Sequence, residues 1–328
     1  VHVGGGLVLL RDLLSSAGFS IGLAILDQRA VKRLPPFEAD EVYYVLRSVV
    51  GRAVAEWHLL KESKIDDVVF CFHGLPPLFP VRGRIIVFLQ NRILISHDSL
   101  SGYPLATRVR LSIERFLLRM FAARVDKFIV QTPSMARDAI SALGPLSRVE
   151  VCPFCSLSEK RDIDQSLEKK FDFVYVSSGE FHKNHQNLLE AWKLLAESDI
   201  RPSLALTLPE QTDLAKKIEL DVKRYELYVF NAGVLSSECV QELYMSSKAL
   251  IFPSTSESFG LPLIEAKSFG LPILASELDY VRDVVVPEQT FDPSSPVSIS
   301  RAVRRYLECS EPTVSIRTSD DFVAEVLS

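Results

Sequence analysis

Two glutamates flank a turn in the second half of the chain, within the segment Glu257-Ser-Phe-Gly-Leu-Pro-Leu-Ile-Glu265. The apolar run at residues 249–253 is typical of a buried strand, and Pro262 is a residue that helices accept in their first turn. We therefore expect Glu257 at the carboxyl end of a strand and Glu265 about one turn into the next helix. The unpaired N–H groups between them suit a phosphate. Taken alone, a loop glutamate and a solvated helix glutamate explain the pair equally well.

A lysine and an asparagine lie at a second junction between a strand and a helix. The segment Ser177-Ser-Gly-Glu-Phe-His-Lys183-Asn184 follows a predicted strand and precedes a helix whose apolar residues recur at helical spacing. Lys183 supplies a charge and Asn184 a hydrogen-bond donor for a diphosphate. His182 and His185 raise a metal site as an alternative. No third ligand accompanies them, so a role at the surface or beside the anion is favoured.

The first half of the chain offers weaker candidates. Gly4-Gly-Gly6 falls between a predicted strand and a predicted helix, where small residues let the backbone approach a ligand. His73, and likewise Asn91 with Arg92, follow predicted strands whose ends would open on a cleft. These polar groups are candidate contacts to an acceptor or to the reaction centre. A purely structural role for His73 is the alternative.

The elements that must position these residues alternate along the whole chain, which predicts parallel sheets flanked by helices. The predicted strands lie at residues 1–3, 20–26, 68–72, 84–89, 127–131, 148–152, 171–177, 203–208, 228–232, 249–253 and 272–275. The predicted helices lie at residues 7–17, 43–61, 106–123, 134–142, 187–196, 211–221, 237–247, 262–269 and 297–309.

At 328 residues the chain is long enough for two domains. A charged stretch poor in apolar residues predicts a linker at 157–170, between a first domain at 1–156 and a second at 171–312. Residues 313–328 predict an amphipathic terminal helix. The linker contains Asp162-Ile-Asp164, a pattern that holds divalent metals in some proteins. Because it follows no buried strand, chance is the favoured explanation.

Composition restricts the compartment. No segment approaches the roughly 18 apolar residues of a membrane-spanning helix, and no signal peptide is evident, so we expect a cytoplasmic protein. Five cysteines without framework spacing agree with a reducing compartment. Cys152-Pro-Phe-Cys155 has the spacing of a redox pair, but it follows a strand and does not open a helix. A structural origin is therefore favoured.

Charge is divided unequally between the halves. Residues 1–150 carry 19 basic and 14 acidic side chains, whereas the remainder carries 18 basic and 28 acidic. The first half is the candidate for anionic partners such as a membrane surface or a lipid diphosphate, and no nucleic-acid-binding motif accompanies it. The predicted helix at 106–123 places Arg108, Arg115 and Arg119 within an arc of about 40° beside apolar residues. A membrane-surface helix and a buried crossover helix both remain open.

The Glu257 to Glu265 segment, with Ser268-Phe-Gly-Leu-Pro272 and residues 273–277, closely resembles the signature of the GT-B retaining glycosyltransferases of family 4, also called group 1. The resemblance covers most of the second half of the chain. In the first half it is limited to the glycine loop and to the placement of strands and loops. It implies an α/β fold of GT-B architecture, in which two Rossmann-like, doubly wound domains face a cleft and the terminal helix returns to the first domain.

By this resemblance, the second half binds a nucleotide-diphosphate sugar as donor. Glu257 contacts the hydroxyls of the sugar, and Glu265 binds the ribose of the nucleotide. The turn between them adds three donor-binding residues, Phe259, Gly260 and Leu261.

The remaining assignments follow the same resemblance. Lys183 and Asn184 match a Lys-Asn pair of the family, whereas Ser177 and Ser178 replace its usual Gly and Arg, so one cation of the phosphate clamp is missing from its usual place. Gly233 lies in a loop expected beneath the nucleobase. Gly5 and Gly6 of the first domain face the donor phosphates across the cleft by the same resemblance. His73 is, from its position after a strand, a candidate to hydrogen-bond the donor sugar, with a structural role as its alternative.

The resemblance implies a retaining hexosyltransferase that needs neither a metal nor another cofactor, with Glu257, Lys183 and His73 as its catalytic residues. The expected partners are a nucleotide sugar and a saccharide or lipid-linked saccharide acceptor, in the assembly of bacterial O-antigen or capsule. We expect it in the cytoplasm, with peripheral contact to the inner membrane. A GT-B sugar-nucleotide epimerase and a non-catalytic nucleotide-sugar-binding subunit are the alternatives.

Overall fold

The computed structural model describes residues 4–16, 18, 20–155, 168–309 and 316–327. The predicted strand at residues 1–3 and the Asp162-Ile-Asp164 pattern lie outside these described residues.

The described part of the first domain holds a four-stranded parallel sheet and a separate parallel pair of strands. In chain order its elements are α1 (Gly4–Leu14), β1 (Leu23–Asp27), β2 (Glu41–Val45), α2 (Val49–Glu62), β3 (Val68–Cys71), β4 (Arg84–Phe88), α3 (Leu105–Phe121), β5 (Lys127–Val130), α4 (Pro133–Leu143) and β6 (Val149–Val151). The sheet has the order β3-β4-β5-β6, and the pair is β1-β2. Its core packs side chains of β4 and β5 against α3 and α4, among them Val87, Phe128, Leu118 and Met135.

The described part of the second domain is built on a six-stranded parallel sheet. Its strands are β7 (Phe171–Tyr175), β8 (Leu204–Leu206), β9 (Val229–Asn231), β10 (Ser247–Phe252), β11 (Ile273–Ser276) and β12 (Gln289–Phe291). Its helices are α5 (His185–Glu197), α6 (Asp213–Tyr225), α7 (Ser237–Met245), α8 (Leu261–Ser268), α9 (Asp279–Arg282) and α10 (Pro296–Tyr306), and α11 (Ser319–Leu327) follows them.

Strand order in this sheet is β12-β11-β10-β7-β8-β9, so the chain leaves β7 in one direction and later returns to β7's other side with β10. Ala249 of β10 pairs directly with Phe173 of β7. This arrangement is a doubly wound sheet, and the crevice between the loops that follow β7 and β10 is its topological switch point. Ligands of open α/β sheets bind at such a crevice.

Apolar strands explain why this sheet is covered on both faces. Phe173, Val174 and Tyr175 are fully buried, which requires helices on each side of β7. Trp192 of α5 packs edge-on against Phe173 with ring centroids 5.7 Å apart, and its indole N–H donates to the carbonyl of Pro202. The apolar spacing that predicted α5 therefore marks the face it buries.

Short elements were missed by the sequence patterns, namely β2, β12 and α9. Residues 43–61 were predicted as one helix, but β2 takes up its first residues and α2 begins only at Val49. Tyrosine and β-branched residues favour the extended conformation there, and β2 pairs in parallel with β1. Ser48 then caps α2, since its hydroxyl accepts a hydrogen bond from the Gly51 N–H.

The two domains contact each other through α4 and the loops around it. Arg137 Nη2 lies 2.7 Å from Asp279 Oδ2 of α9, and the Ser134 N–H donates to Asp283 Oδ2 at 2.8 Å. The hydroxyl of Thr132 donates to the carbonyl of Ser258, in the loop after β10. These polar contacts attach the segment after β5 to α9 and to the loop after β10, which borders the switch point.

The helix α11 agrees with the terminal helix predicted from the sequence. All of its described side chains are exposed, including Phe322, Val323 and Val326. Its return to the first domain stays a prediction. Within the described ranges, every helix is too short or too polar to cross a membrane.

Asp172 connects three strands of the second domain, which leads to a stability prediction. Its Oδ2 accepts from both the backbone N–H and the hydroxyl of Ser203 at 2.8 Å, and its Oδ1 lies 2.8 Å from Lys248 Nζ. Burial opposes ionisation, but the hydrogen bonds from Lys248 and Ser203 prevail and lower the pKa of Asp172. We expect Asp172→Ala to reduce the free energy of unfolding by about 1–3 kcal/mol in urea denaturation at pH 7.

The pH dependence checks the cause. Because its pKa is lower in the folded state, Asp172 stabilises the protein above its ordinary pKa of 3.8 and loses this effect as the pH falls further. The difference between Asp172→Ala and the unaltered chain should therefore shrink below about pH 4. Glu219→Ala is the control, since Glu219 and its partner Lys223 form an exposed pair that water screens. Equal losses in the two variants would refute this account of Asp172.

Candidate functional site

A lysine and a glutamate meet at the switch point of the second sheet. Lys183 Nζ, in the loop after β7, lies 2.7 Å from Glu257 Oε1, in the loop after β10. Only 16% of the Lys183 side chain and 11% of the Glu257 side chain are exposed, so the pair is largely shielded from water. The structure thus brings together two of the three residues predicted to be catalytic.

Buried hydroxyl groups hold this pair in place. The Ser254 hydroxyl donates to Glu257 Oε1 at 2.7 Å, and the Tyr175 hydroxyl donates to the carbonyl of Lys183 at 2.8 Å. Tyr280 in turn donates to the carbonyl of Ser254 at 2.7 Å. Burial raises the pKa of Tyr175 and of Tyr280, so both remain neutral donors. Both loops are therefore positioned before any ligand arrives.

Asn184 fastens the same loops together. Its backbone is left-handed, with φ 60° and ψ 32°, and its side-chain amide donates to the carbonyls of Pro253 and Pro293 at 3.0 and 2.7 Å. Both amide hydrogens are thus used by the protein, whereas the sequence analysis assigned this amide to a diphosphate. The left-handed conformation was not visible in the sequence pattern, although asparagine is one of the residues that adopts it.

The two histidines of this segment differ in environment. His185 is 3% exposed, and its Nε2 lies 3.0 Å from the Ser177 hydroxyl. Burial lowers the pKa of His185 to about 4, so its ring is neutral and part of the core. His182 Nδ1 lies 3.1 Å from the Tyr103 hydroxyl of the first domain. Across the residues that the structure describes, no group of three or more His, Cys, Asp or Glu side chains is arranged to hold a metal ion.

Ser178 stands where the family usually has arginine. Its hydroxyl donates to the carboxylate of Glu180, and the residue is exposed. That position therefore supplies no positive charge to the crevice.

The loop around Tyr103 reaches from the first domain onto the Lys183 loop. The Tyr103 ring meets Phe181 edge-on with centroids 5.9 Å apart, and a Cβ on Gly102 would lie 2.3 Å from the Phe181 ring. Only glycine fits at Gly102 with this packing. Tyr103 was not predicted from the sequence, because nothing in the residues around Tyr103 indicates a contact with the other domain.

The turn between Glu257 and Glu265 opens α8 as predicted. Gly260 has φ 75° and ψ 55°, a left-handed conformation that glycine adopts without strain, and no side chain caps the helix. Pro262 has no N–H, and the Leu263 N–H donates to the carbonyl of Gly260 at 2.9 Å, so the N–H of Leu261 is the group in this turn that can meet an anion. Phe259 is 8% exposed, so its ring supports the turn from within.

Glu265 lies one turn into α8, where Tyr244 donates to its Oε2 at 2.9 Å. Burial raises the pKa of Glu265, and this hydrogen bond partly offsets the effect. Gly233 lies in the turn after β9 with φ 72°, and its N–H donates to Asn231 Oδ1 at 3.3 Å. A Cβ on Gly233 would lie 3.5 Å from Glu210 Oε1, so this turn packs on the loop after β8.

The glycine segment differs from its prediction. Gly4, Gly5 and Gly6 form the first turn of α1 and not a loop before it. Glycine is tolerated there because the first N–H groups of a helix have no partner within the helix. A Cβ on Gly5 would lie 3.0 Å from Leu261 Cδ1, so the start of α1 does face the start of α8 across the cleft.

His73 lies apart from the charged pair. Its Nε2 is 2.7 Å from Arg52 Nη1, and in the described residues no hydrogen bond joins it to Lys183 or Glu257. Although the residue as a whole is exposed, the protein atoms around its ring and the Arg52 guanidinium lower the pKa of His73 to about 3. His73 is therefore a neutral group on the first-domain side of the cleft.

Two curated relatives are similar to most of this chain. An O-antigen chain mannosyltransferase of Salmonella typhimurium is 25% identical over 243 residues, which are 73% of this chain and 65% of that protein. O-antigen chain mannosyltransferase B of Escherichia coli is 26% identical over 230 residues, which are 68% of this chain and 56% of that protein. The chain thus spans between half and two thirds of the length of these relatives.

Solved structures show the same architecture. The Anabaena protein HepE, crystallised with UDP and glucose, superposes with a TM-score of 0.63 at 16% identity, over 93% of this chain and 87% of HepE. A lipopolysaccharide outer core galactosyltransferase in its apo form gives a TM-score of 0.58 at 16% identity, over the same shares of the two chains. The predicted α/β fold of GT-B architecture is confirmed.

The contact between Tyr103 and His182 leads to a prediction about the Lys183 loop. Tyr103→Phe removes one hydrogen bond and keeps the ring on Phe181, so the loop should open more often while the fold persists. We expect hydrogen–deuterium exchange at the N–H groups of Lys183 and Asn184 to accelerate by roughly fivefold. Tyr228→Phe, at an exposed tyrosine of the second domain, is the control. Equal exchange in both variants would show that the contact does not restrain the loop.

A family model matches the second half of the chain. Residues 158–319 match the family model described as glycosyl transferases group 1. This range contains the whole crevice between β7 and β10, with Lys183, Glu257 and Glu265. The second half of the chain therefore matches the glycosyl transferases of group 1, and the chain has the architecture of the GT-B glycosyltransferases.

Proposed function

We propose that this chain transfers a hexose from a nucleoside-diphosphate sugar to an acceptor hydroxyl, in the assembly of a bacterial surface polysaccharide. The observation that carries the proposal is the shielded pair of Lys183 and Glu257 at the switch point, beside the uncapped start of α8. Relatives named as O-antigen mannosyltransferases and a neighbour solved with UDP and glucose support the substrate class.

The crevice can stabilise the leaving diphosphate. In the transfer, the bond between the anomeric carbon and the phosphate oxygen breaks, and its electron pair stays on the diphosphate. Lys183 and the positive end of α8, with the N–H of Leu261, offer positive charge to that group, which is the form of stabilisation that enzymes use most. The acceptor oxygen forms the new bond to the anomeric carbon, and its proton passes to an oxygen of the departing diphosphate.

Glu257 changes partner when the donor binds. Lys183 turns toward the diphosphate, and the carboxylate that it leaves accepts hydrogen bonds from the sugar hydroxyls. Glu265 Oε2 accepts a hydrogen bond from Tyr244, and we assign the other carboxylate oxygen to the ribose hydroxyls. Retention at the anomeric carbon, and transfer without a metal or another cofactor, belong to the same proposal.

Replacing Lys183 tests the proposal directly. Lys183→Ala should cut turnover by roughly a hundredfold, which corresponds to ~3 kcal/mol of lost stabilisation of developing charge. The fold should survive, because the hydrogen bond from Tyr175 goes to the Lys183 backbone and persists. The measurement is release of nucleoside diphosphate that depends on the acceptor.

The matched control is Lys267→Ala, an exposed lysine in the last turn of α8. Donors are first chosen from a panel of nucleotide sugars by thermal stabilisation, since a ligand that binds only the folded protein raises its Tm. Near-normal turnover in Lys183→Ala would remove Lys183 from the mechanism. Donor binding with no transfer to any acceptor would remove the transferase function itself.

A membrane contact belongs to the same proposal and rests on α3. One face of α3 is buried through Leu111 and Leu118. The opposite face is an exposed apolar stripe made of Leu105, Val109, Ile113, Phe116 and Met120, each at least 50% exposed. The helix thus packs on the sheet through one face, and the exposed stripe on the other face supports the proposed membrane contact.

Arginines border this stripe. At 100° per residue, Arg108 and Arg119 lie on one side of it and Arg110 on the other. Arg115 is not part of the border, because it donates to the carbonyls of Ile93 and Asp98 and so attaches α3 to the domain. An apolar stripe between arginines suits the cytoplasmic surface of an anionic membrane.

Phe116→Ser tests this contact. Burial of one large apolar side chain is worth about 1.5–3 kcal/mol, so affinity for phosphatidylglycerol vesicles should fall by roughly tenfold or more. Leu220→Ser, at an exposed leucine of the second domain, is the control and should bind as the unaltered chain does. If the unaltered chain ignores the vesicles, or forms a dimer that Phe116→Ser abolishes, the stripe is not a membrane contact.

A further inference from the structure

A groove lined by arginines lies in the first domain, away from the crevice of Lys183 and Glu257. This cavity of about 430 Å³, called the arginine groove, is lined by Arg29, Arg47 and Arg110 together with His73 and Asn91. A second cavity of about 400 Å³ shares Arg29 and Arg47 and continues over the adjoining backbone. The two cavities together have room for an extended ligand, with Arg29 and Arg47 at their junction.

The position of the groove is that of a ligand site. Arg29 follows β1, Arg47 follows β2, His73 follows β3 and Asn91 follows β4, so the carboxyl ends of these parallel strands converge on it. Ligands of open α/β sheets bind at this edge.

The arginines outnumber the acids of the groove. Asp27 holds Arg29 through two contacts, with Arg29 Nε 2.9 Å from Asp27 Oδ1, so this guanidinium is oriented in advance. Arg110 lies 3.5 Å from Glu114. Within the described residues Arg47 forms no hydrogen bond or ion pair, although its charge, like that of Arg110, opposes the rise that burial causes in the pKa of Glu114. The groove thus holds three arginines against the two acids Asp27 and Glu114. One positive charge of the groove is therefore left for a ligand.

The uncharged groups of the groove also suit an anion. Asn91 Oδ1 accepts a hydrogen bond from the Ile93 N–H at 3.1 Å, and the amide hydrogens of Asn91 point away from this contact. The His73 ring is neutral, and its Nε2 lies 2.7 Å from Arg52 Nη1. Guanidinium groups bind phosphate through paired hydrogen bonds, and an amide adds a further donor.

We propose that the arginine groove binds a phosphate or diphosphate group of the acceptor, so that the acceptor is a phosphate-bearing saccharide and not a neutral sugar. This inference rests on the proposed transfer reaction and specifies the acceptor class for it. The phosphate belongs either to a lipid diphosphate that carries the saccharide or to a soluble sugar phosphate. The same arginine chemistry would recognise both.

A matched pair of variants tests the groove. Arg47→Ala removes the charge that follows β2, whereas Arg82→Ala removes an exposed charge just before β4, at the amino ends of the strands of the four-stranded sheet. We expect Arg47→Ala to raise KM for a phosphate-bearing acceptor at least tenfold and to leave donor binding unchanged. Arg82→Ala should stay within about twofold of the unaltered chain.

The acceptor is offered in three forms that share one saccharide: neutral, as a soluble phosphate, and as a lipid diphosphate in vesicles. A loss with Arg47→Ala in either phosphate-bearing arm supports the groove and identifies the source of the phosphate. Equal KM values for the neutral and phosphate-bearing forms, or equal effects of Arg47→Ala and Arg82→Ala, would overturn it.

A binding measurement separates this inference from the transfer reaction. Inorganic diphosphate is titrated into Lys183→Ala, which lacks the cation of the crevice, and into the same variant with Arg47→Ala or Arg82→Ala added. Binding that weakens at least tenfold only with Arg47→Ala supports the groove even if no transfer is found. Binding that is absent, or insensitive to Arg47, refutes the groove even if Lys183 proves essential for transfer.

Discussion

The ion pair between Lys183 and Glu257 is the interaction on which the site depends. It joins the loops after β7 and β10, which enter the crevice from the two sides of the switch point. The hydroxyl groups of Tyr175, Ser254 and Tyr280 form hydrogen bonds within these loops, and all three residues are buried. Because water is largely excluded, the pair has an electrostatic effect that an exposed pair would lack. A ligand can take over both halves of this ion pair. Its diphosphate then binds Lys183 in place of the glutamate, and its hydroxyl groups donate to Glu257 in place of the lysine.

The two domains contribute different chemistry to the cleft. The second domain supplies the charged pair, the free start of α8 and Glu265, whereas the first supplies neutral His73 and a surplus of arginine. The domains approach each other closely where α1 faces α8 and where Tyr103 meets His182. Donor and acceptor are thus expected on opposite sides, with the loop around Tyr103 restraining the segment that carries Lys183.

Much of the second domain could be predicted because its strands are buried on both faces. Continuous apolar runs such as residues 171–175 and 249–252 have few alternatives to a central parallel strand. The elements that were missed, β2, β12 and α9, are short, and their formation depends on pairing or packing with distant residues. Tyrosine and valine at the start of the predicted helix 43–61 were consistent with either state until pairing with β1 selected the strand.

The sequence by itself determined the fold class and the presence of a lysine and a carboxylate at two strand ends, since these follow from apolar periodicity and local spacing, while the family was indicated by the resemblance of the Glu257 to Glu265 segment. Only the tertiary structure decided which groups meet. It paired Lys183 with Glu257 across 74 positions of the chain, directed the Asn184 amide to two carbonyls, and placed His73 beside Arg52 and away from the pair. The physical reason is that local spacing specifies where a side chain leaves the backbone, whereas its partner depends on which loops the sheet order brings together.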